Sequence, residues 1–259
     1  MSETISAATI GAMIFSMCIA FALPIAAMIF AKIRLKGMLR YVFVGAAVFV
    51  LFVLVLESRM HALVLGIFGE GITKNIWIYA LYGGLAAGLF EETGRFLAMK
   101  FVMRRSLTKE NAVMYGIGHG GIEAMILVGL TYVSNLITAV MINAGMLETI
   151  LAGVPEGSRE ATREQLSVLW TLPSYTFALA GCERVSAFIL HICLSYIVYR
   201  AVKDKKPLYY LLAVVIHAAV DAVTALLGSV LPDYCLEIVL AVMVIILAVV
   251  TVKKYRAEA

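Results

Sequence analysis

The sequence predicts an all-α integral membrane protein, a polytopic bundle of about seven transmembrane helices. Hydrophobic residues make up 63% of its 259 residues, and the mean hydropathy is +0.97, well above the range of soluble domains. Charged residues account for only 15%, and most of them lie in short clusters between long apolar runs. We therefore expect lipid to surround most of the chain, as a single membrane domain over residues 1–259.

Seven apolar runs are long enough to cross a bilayer, since a spanning helix needs about 20 apolar residues. They cover 5–31, 41–66, 76–99, 111–144, 167–199, 208–230 and 234–252. The first run is too long for a signal peptide and follows Glu3 rather than a basic residue, so we expect it to remain as a helix. Pro24, Pro173 and the glycines near position 120 mark expected kinks. The small residues from Gly83 to Gly88 predict a close helix-packing face.

The basic residues predict the orientation of the helices, because cytoplasmic loops carry an excess of Lys and Arg. Fifteen of the 21 lie in four segments that share one side, 32–40, 100–109, 200–206 and 253–256. The opposite side receives Arg59, Lys74, Arg159 and Arg163. The N-terminus is therefore expected outside and the C-terminus in the cytoplasm, with residues 145–165 as an outer loop. The basic residues form no helical face for nucleic acid, and the four cysteines are spaced for neither a disulfide framework nor a zinc ribbon.

Ten charged or histidine residues lie inside the four predicted spans between residues 76 and 230, where insertion of a central Asp or Arg costs about 2.5 to 3.5 kcal/mol. They are Glu91, Glu92, Arg95, His119, Glu123, Glu183, Arg184, His191, His217 and Asp221. Such residues usually face the interior of a bundle and pair with one another. Their number requires a collective explanation.

Depth in the bilayer supplies that explanation. At a rise of about 1.5 Å per residue, Glu92, His119, His191 and His217 all lie about 12 to 15 Å from the cytoplasmic ends of their helices. Partners four residues apart share a helix face, which predicts three pairs: Glu91 with Arg95, His119 with Glu123, and His217 with Asp221. We expect a four-helix catalytic-like core over 76–230 that encloses one polar cavity.

Such a cavity has the groups that peptide hydrolysis inside a membrane requires. A buried carboxylate can act as a general base toward water, and imidazoles can stabilise an oxyanion or bind a metal. No cofactor is required by this chemistry, although a divalent metal remains an alternative. The available ligands for it would be His119, Glu123, His191, His217 and Asp221. The chain has no HExxH, GxGD or GxSxG motif, which disfavours zinc proteases with both histidines on one helix, aspartyl intramembrane proteases and serine hydrolases.

The motifs of these helices resemble a known family. The run Glu91-Glu92-Thr93-Gly94-Arg95 is similar to the paired-glutamate motif of the glutamic-type intramembrane endopeptidases. That group includes the CAAX prenyl endopeptidases, the bacteriocin-processing CPBP proteins and, more distantly, PrsW-like proteases. His119 with Glu123, Glu183-Arg184 through His191, and His217 with Asp221 follow in the family's order, and the arrangement most resembles the YhfC-like branch.

The resemblance implies a function and residue roles. A glutamate of the Glu91 and Glu92 pair would activate a water with help from His119, while His217 and Asp221 would stabilise the oxyanion. The candidate catalytic residues are Glu91, Glu92, Arg95, His119, Glu123, His191, His217 and Asp221. The expected substrate is a membrane-embedded or membrane-proximal peptide, and the expected location is a bacterial plasma membrane. No oligomeric state follows from the sequence.

Two other interpretations remain open at this stage. The same buried Glu and His cluster could belong to a cation-coupled or proton-coupled transporter. Alternatively, the acids, Arg95 and the histidines could form ion pairs that only lock the helices together. Charge gathered in one leaflet makes a poor path through the membrane, which favours the protease.

Overall fold

The helices follow the apolar runs of the sequence closely. A computed structural model describes residues 3–258, and these residues contain eleven α-helices and no β-strand. The helices are α1 (Ala7–Phe30), α2 (Arg40–Phe49), α3 (Ser58–Thr73), α4 (Ile76–Leu97), α5 (Lys109–Ala124), α6 (Thr131–Asn143), α7 (Leu147–Ala152), α8 (Arg159–Thr171), α9 (Ser174–Lys203), α10 (Pro207–Gly228) and α11 (Asp233–Ala257). The all-α class predicted from the sequence is confirmed.

Four π-helical stretches extend or join these helices. Ala31–Leu35 continues α1 and Ala98–Val102 continues α4, whereas Val50–Glu57 joins α2 to α3 and Met125–Leu130 joins α5 to α6. Longer continuous helices result, and in the described part of the chain six are long and apolar enough to cross a membrane. The six are Ala7–Leu35, Arg40–Thr73, Lys109–Asn143, Ser174–Lys203, Pro207–Gly228 and Asp233–Ala257. The chain is an integral membrane protein.

The remaining predicted span, 76–99, corresponds to α4. This helix has 22 residues, but Glu91, Glu92 and Arg95 lower its mean hydropathy below that of the other six. With α4 included, the described spans number seven. An odd number of crossings places the two termini on opposite sides of the membrane, as predicted.

The prediction of a continuous span over 167–199 is wrong at its start. Helix α8 ends at Thr171 and α9 begins at Ser174, because Pro173 has no backbone N–H to continue the helical hydrogen bonds. The predicted outer loop, 145–165, is also more ordered than expected. It contains α7, a 3₁₀ turn at Glu156–Ser158 and the first half of α8.

The described chain divides into two units. The first unit comprises residues 3–22 and 124–184, and its core includes Met13, Ala139, Leu169 and Phe177. Within it, the buried Ser16 hydroxyl donates to the Phe177 carbonyl at 2.6 Å. The second unit comprises residues 23–123 and 185–258 and contains all eight candidate catalytic residues.

Glycines bring helices of the second unit close together. A Cβ atom on Gly84 would lie 2.4 Å from the Ala218 carbonyl oxygen, and one on Gly88 would lie 2.8 Å from the Val214 carbonyl oxygen. Helix α4 can therefore lie against the backbone of α10 only because these two positions have no side chain. This close approach confirms the packing face predicted for residues 83–88.

The same principle places α5 against α9. A Cβ atom on Gly120 would lie 3.1 Å from the Cβ atom of His191, so α5 passes close to the histidine of α9. Helices α4, α5, α9 and α10 are the four that carry the candidate site.

At the end of α11, Glu258 connects the last helix to α9. Its carboxylate accepts hydrogen bonds from Tyr196 at 2.9 Å and Tyr199 at 2.6 Å, and it also contacts the Lys203 ammonium. Partial burial alone would raise the pKa of Glu258. The hydrogen bonds from Lys203, Tyr199 and Tyr196 outweigh this effect and lower the pKa to about 2. The carboxylate therefore stays ionised and holds the end of α11 against α9.

Candidate active site

Eight predicted residues from four helices lie in the second unit, seven of them buried. Glu91, Glu92 and Arg95 come from α4, His119 and Glu123 from α5, His191 from α9, and His217 and Asp221 from α10. Glu92, Arg95 and His119 are fully buried, and the Asp221 side chain is 37% exposed. Ionisable side chains at such depth must neutralise one another or bind a further charge, because burial of an unpaired charge is costly.

Glu91 contacts histidines of both α5 and α9. Its Oε2 atom lies 2.8 Å from His119 Nε2 and 3.8 Å from His191 Nδ1. On the far side of the His191 ring, Nε2 lies 2.5 Å from Glu123 Oε2. The ring centroids of His119 and His191 are 4.8 Å apart. Two carboxylates thus flank His191, one at each ring nitrogen.

Arg95 determines the tautomer of His191. Its Nη2 atom lies 3.1 Å from His191 Nδ1, and its Nη1 atom donates to the His191 carbonyl at 2.9 Å. Because a guanidinium has donors only, Nδ1 must be the unprotonated nitrogen of the ring. The proton is therefore on Nε2, which lies 2.5 Å from the Glu123 carboxylate.

Glu92 makes an equivalent contact with α10. Its Oε1 atom lies 2.8 Å from His217 Nδ1 and 3.5 Å from Arg95 Nη2. The carboxylate accepts the Nδ1 proton, which leaves His217 Nε2 as a lone pair. That nitrogen lies 3.6 Å from Asp221 Oδ2. The lone pair of His191 Nδ1 therefore faces Arg95 and the Glu91 carboxylate, and the lone pair of His217 Nε2 points away from Glu92.

Three donors of this cluster can hold a metal ion. One ligand atom each from Glu91, His191 and His217 lie within 4.8 Å of one another, and all three residues are buried. Two imidazoles and one glutamate are a known donor set of catalytic zinc sites. Glu123 and Glu92 on the opposite nitrogens of the two histidines are the outer partners that metal-binding histidines usually have. The residues present fit a divalent cation.

Among the described residues, the buried acids of the cluster outnumber its buried guanidinium. Glu91, Glu92 and Glu123 are buried together with a single buried cation, Arg95. With neutral imidazoles, three carboxylates against one guanidinium leave two negative charges in a region of low dielectric. One divalent cation would balance them.

Some buried polar atoms of the site have no hydrogen-bond partner. They include Glu92 Oε2, Arg95 Nε and His119 Nδ1. An unsatisfied buried polar atom in a native protein usually indicates a bound water or ion. Glu92 Oε2 accepts and Arg95 Nε donates, so this pair of atoms on one helix face is suited to a water molecule.

The pairs predicted from helical spacing differ from those observed. His119 contacts Glu91 rather than Glu123, and Arg95 contacts Glu92 rather than Glu91. His119 thus takes its partner from a neighbouring helix, whereas Arg95 contacts the glutamate three residues before it on the same helix. The pair of His217 and Asp221 is present at 3.6 Å. Of the five metal ligands considered from the sequence, the three-donor group contains His191 and His217, and it adds Glu91.

Sequence reasoning missed a further buried acid. Glu57 ends the π-helical stretch of the second span, is 5% exposed, and lies 3.1 Å from His61 Nε2. His61 Nδ1 lies 2.6 Å from the Tyr82 hydroxyl, so both ring nitrogens of His61 contact groups within the protein. The spacing of four residues between Glu57 and His61, inside an apolar run, was the available signal. This pair provides a matched comparison for the site.

Comparison with known proteins gives two matches. A sequence model of the family described as YhfC intramembrane metalloprotease matches residues 19–250. The "Uncharacterized membrane protein YhfC" of Bacillus subtilis (strain 168) is 38% identical over 203 residues, which cover 77% of this chain and 78% of that protein. No solved structure matches. The finer relationship to CPBP and PrsW-like proteins remains a prediction. The match over most of the chain shows that this protein, an integral membrane protein of a bacterial plasma membrane, belongs to the YhfC intramembrane metalloprotease family.

Proposed function

We propose that this protein is an intramembrane endopeptidase whose buried cluster hydrolyses a peptide bond with the help of a divalent metal ion. The observation that carries the proposal is the group formed by Glu91, His191 and His217, with ligand atoms within 4.8 Å of one another. The family's description as a metalloprotease supports it. A required metal replaces the cofactor-free mechanism that we first expected from the sequence.

Glu91, His191 and His217 would hold the ion. When bound, such an ion polarises a carbonyl and lowers the pKa of a nearby water. Three further residues orient these ligands: His119 bonds Glu91, Glu123 bonds His191, and Glu92 bonds His217. Each ligand is thus fixed by a partner from another helix, which reduces the reorganisation needed during the reaction.

Glu92 is the proposed general base. Its Oε1 atom is engaged by His217 and Arg95, but Oε2 has no partner and is buried. Oε2 accepts a proton from the attacking water as the water oxygen bonds to the carbonyl carbon. The resulting carboxylic acid then delivers that proton to the departing amine nitrogen. Arg95 keeps Glu92 ionised between turnovers, since it is the buried cation beside it.

Asp221 lies on the accessible side of the cluster. It is the member with substantial exposure, and it contacts His217 Nε2 at 3.6 Å. A peptide reaching the site would pass Asp221 first. We therefore place substrate entry along the α10 side that carries this residue.

The proposal is tested by cleavage of a membrane-spanning reporter peptide in proteoliposomes. We expect the wild type to cleave, chelator to abolish cleavage, and added zinc to restore it. Glu92→Gln should lower kcat by about 10²- to 10⁴-fold, the usual contribution of a general base. Glu57→Gln, which changes a buried glutamate paired with a histidine outside the cluster, should retain activity.

Two results would contradict the proposal. Cleavage that is unaffected by chelator would exclude a metal from the reaction and return the mechanism to glutamate and histidine alone. No cleavage of any reporter, together with ion flux that depends on Glu92, would favour the transporter interpretation.

A further inference from the structure

A cavity of about 480 Å³ lies where helices of the second unit end on the predicted cytoplasmic side. It is lined by Phe96, Lys100, Ala201, Val202, Lys205 and Pro207. They come from three places: the end of α4 with the π-helical stretch that continues it, the end of α9 with the connection that follows it, and the first residue of α10. Two of those helices, α4 and α10, also carry Glu92 and His217.

The charged groups of this cavity are both positive. The Lys100 ammonium lies over the Phe96 ring, 5.3 Å from its centroid, and Lys205 has a left-handed backbone conformation with a φ of 54°. Among residues 3–258, neither ammonium forms an ion pair with a carboxylate. The nearest acid in sequence, Asp204, is already bonded by Arg200 at 2.6 Å.

The remaining walls of the cavity are apolar. Phe96, Val202 and Pro207 face it, and Phe96 also packs against Tyr210 of α10 with ring centroids 5.2 Å apart. Apolar walls with two unpaired cations suit a chain that is hydrophobic over most of its length and carries a negative charge at its end.

The distance from this cavity to the site follows from helix geometry. Lys100 is eight residues after Glu92, which corresponds to about 12 Å along α4. An extended peptide advances about 3.3 Å per residue, so about four residues would connect a peptide bond at the site to a charge at Lys100.

We propose that this cavity binds the acidic cytoplasmic flank of a membrane-spanning peptide substrate, with Asp or Glu about four residues from the scissile bond. The inference rests on the proposed endopeptidase function and adds a substrate class to it. Most membrane proteins have Lys and Arg at their cytoplasmic flanks, and Lys100 and Lys205 repel these. The two lysines therefore select a minority of spanning segments.

Binding is the first test, because it does not require catalysis. Glu92→Gln protein in nanodiscs of zwitterionic lipid is titrated with fluorescent peptides that share one apolar span and differ in an acidic, neutral or basic flank. Two exposed charge contacts give an expected preference of about tenfold for the acidic over the neutral peptide. Reversal of both lysines, Lys100→Glu with Lys205→Glu, should transfer the preference to the basic peptide.

The matched control is Arg104→Glu with Arg105→Glu, which removes two cations of the same loop that do not line the cavity. This control should keep the preference for the acidic peptide. Equal affinity for the three peptides, or loss of the preference in the control variant, would overturn the inference. Loss of the preference when the nanodiscs contain anionic lipid would show that the cavity binds a lipid headgroup instead, which also overturns it.

Cleavage by the wild type separates this inference from the proposed function. An acidic residue moved from four to eight residues beyond the scissile bond should slow cleavage toward the rate of the neutral peptide. A binding preference without cleavage would support the cavity's role and contradict the endopeptidase function. Cleavage without any charge preference would support the endopeptidase function and contradict the cavity's role.

Discussion

Replacement of Glu123 by Gln tests whether this carboxylate orients His191 for binding a metal ion. Glu123 Oε2 lies 2.5 Å from His191 Nε2, while His191 Nδ1 is the unprotonated nitrogen that faces Glu91 at 3.8 Å. A glutamine has nearly the same shape, and its carbonyl still accepts the Nε2 proton. The substitution therefore removes the negative charge behind the ring and leaves the packing of α5 against α9 largely intact.

The expected magnitude follows from what such partners contribute elsewhere. Loss of an outer carboxylate that orients a metal-binding histidine usually costs 10- to 100-fold in metal affinity, or about 1.4 to 2.7 kcal/mol. The buried position of Glu123, which is 8% exposed, places the effect toward the upper part of this range, because water does not screen the charge.

The assay is a competition titration of purified protein with a chromogenic zinc chelator, which measures the dissociation constant directly. Glu57→Gln is the matched control, since it neutralises a buried glutamate that contacts a different histidine, His61. We expect weaker zinc binding for Glu123→Gln and wild-type affinity for Glu57→Gln. Equal affinity in all three proteins would refute the role of Glu123 in orienting His191, and equal weakening in both variants would show that only the net buried charge matters.

Two further predictions concern the helices that hold the site. Gly84→Val should destabilise the protein by about 1 to 3 kcal/mol and weaken metal binding, because the new side chain would displace α4 from the α10 backbone. Thermal unfolding and zinc titration measure the two effects. The control Gly83→Val should change little in either measurement, because nothing lies within 4 Å of a Cβ added at that position. Glu258→Gln should lower the free energy of unfolding by about 1 to 2 kcal/mol at neutral pH, because it removes a charged acceptor of two tyrosine hydroxyls. Since the pKa of Glu258 is lowered from 4.5 to about 2, the wild type should lose this advantage as the pH falls from about 4.5 to about 2. A difference that persists unchanged below that range, measured by denaturant unfolding, would contradict the assigned ionisation.

The sequence predicts the class of the fold well, and it singles out polar residues that the structure brings close together. Long apolar runs define the spans because lipid tolerates few polar residues, and the same rule makes Glu92, His119, His191 and His217 conspicuous. Their common depth indicates that they meet, and the structure brings them into one cluster. Each functional role within that cluster is still a prediction.

The pairing of the side chains could not be obtained from helical spacing. Residues four apart share a face, but the closest partner of His119 is Glu91 on another helix, at 2.8 Å. That partner depends on how the four helices pack, and glycines contribute to this packing: Gly84 allows α4 to approach α10, and Gly120 allows α5 to approach α9. The three-donor group is invisible in the sequence for the same reason, since its members come from three helices.

Local backbone geometry was a second source of error. The π-helical stretch Val50–Glu57 shifts the face that Glu57 presents, and no composition signal marks such a stretch. Pro173 gave a clear signal, but we predicted a kink where the structure has a complete break between α8 and α9.

The central claim is that Glu91, His191 and His217 hold one divalent ion inside the membrane domain, and the metal content of purified protein tests it most directly. Elemental analysis by mass spectrometry after removal of loosely bound ions should find about one zinc or other divalent ion per chain in the wild type and in Glu57→Gln, which keeps the donor set intact. The same measurement should find almost none in a variant with His191→Ala and His217→Ala. Equal metal content in the wild type and this double variant, or active wild-type protein that contains no metal, would contradict the account.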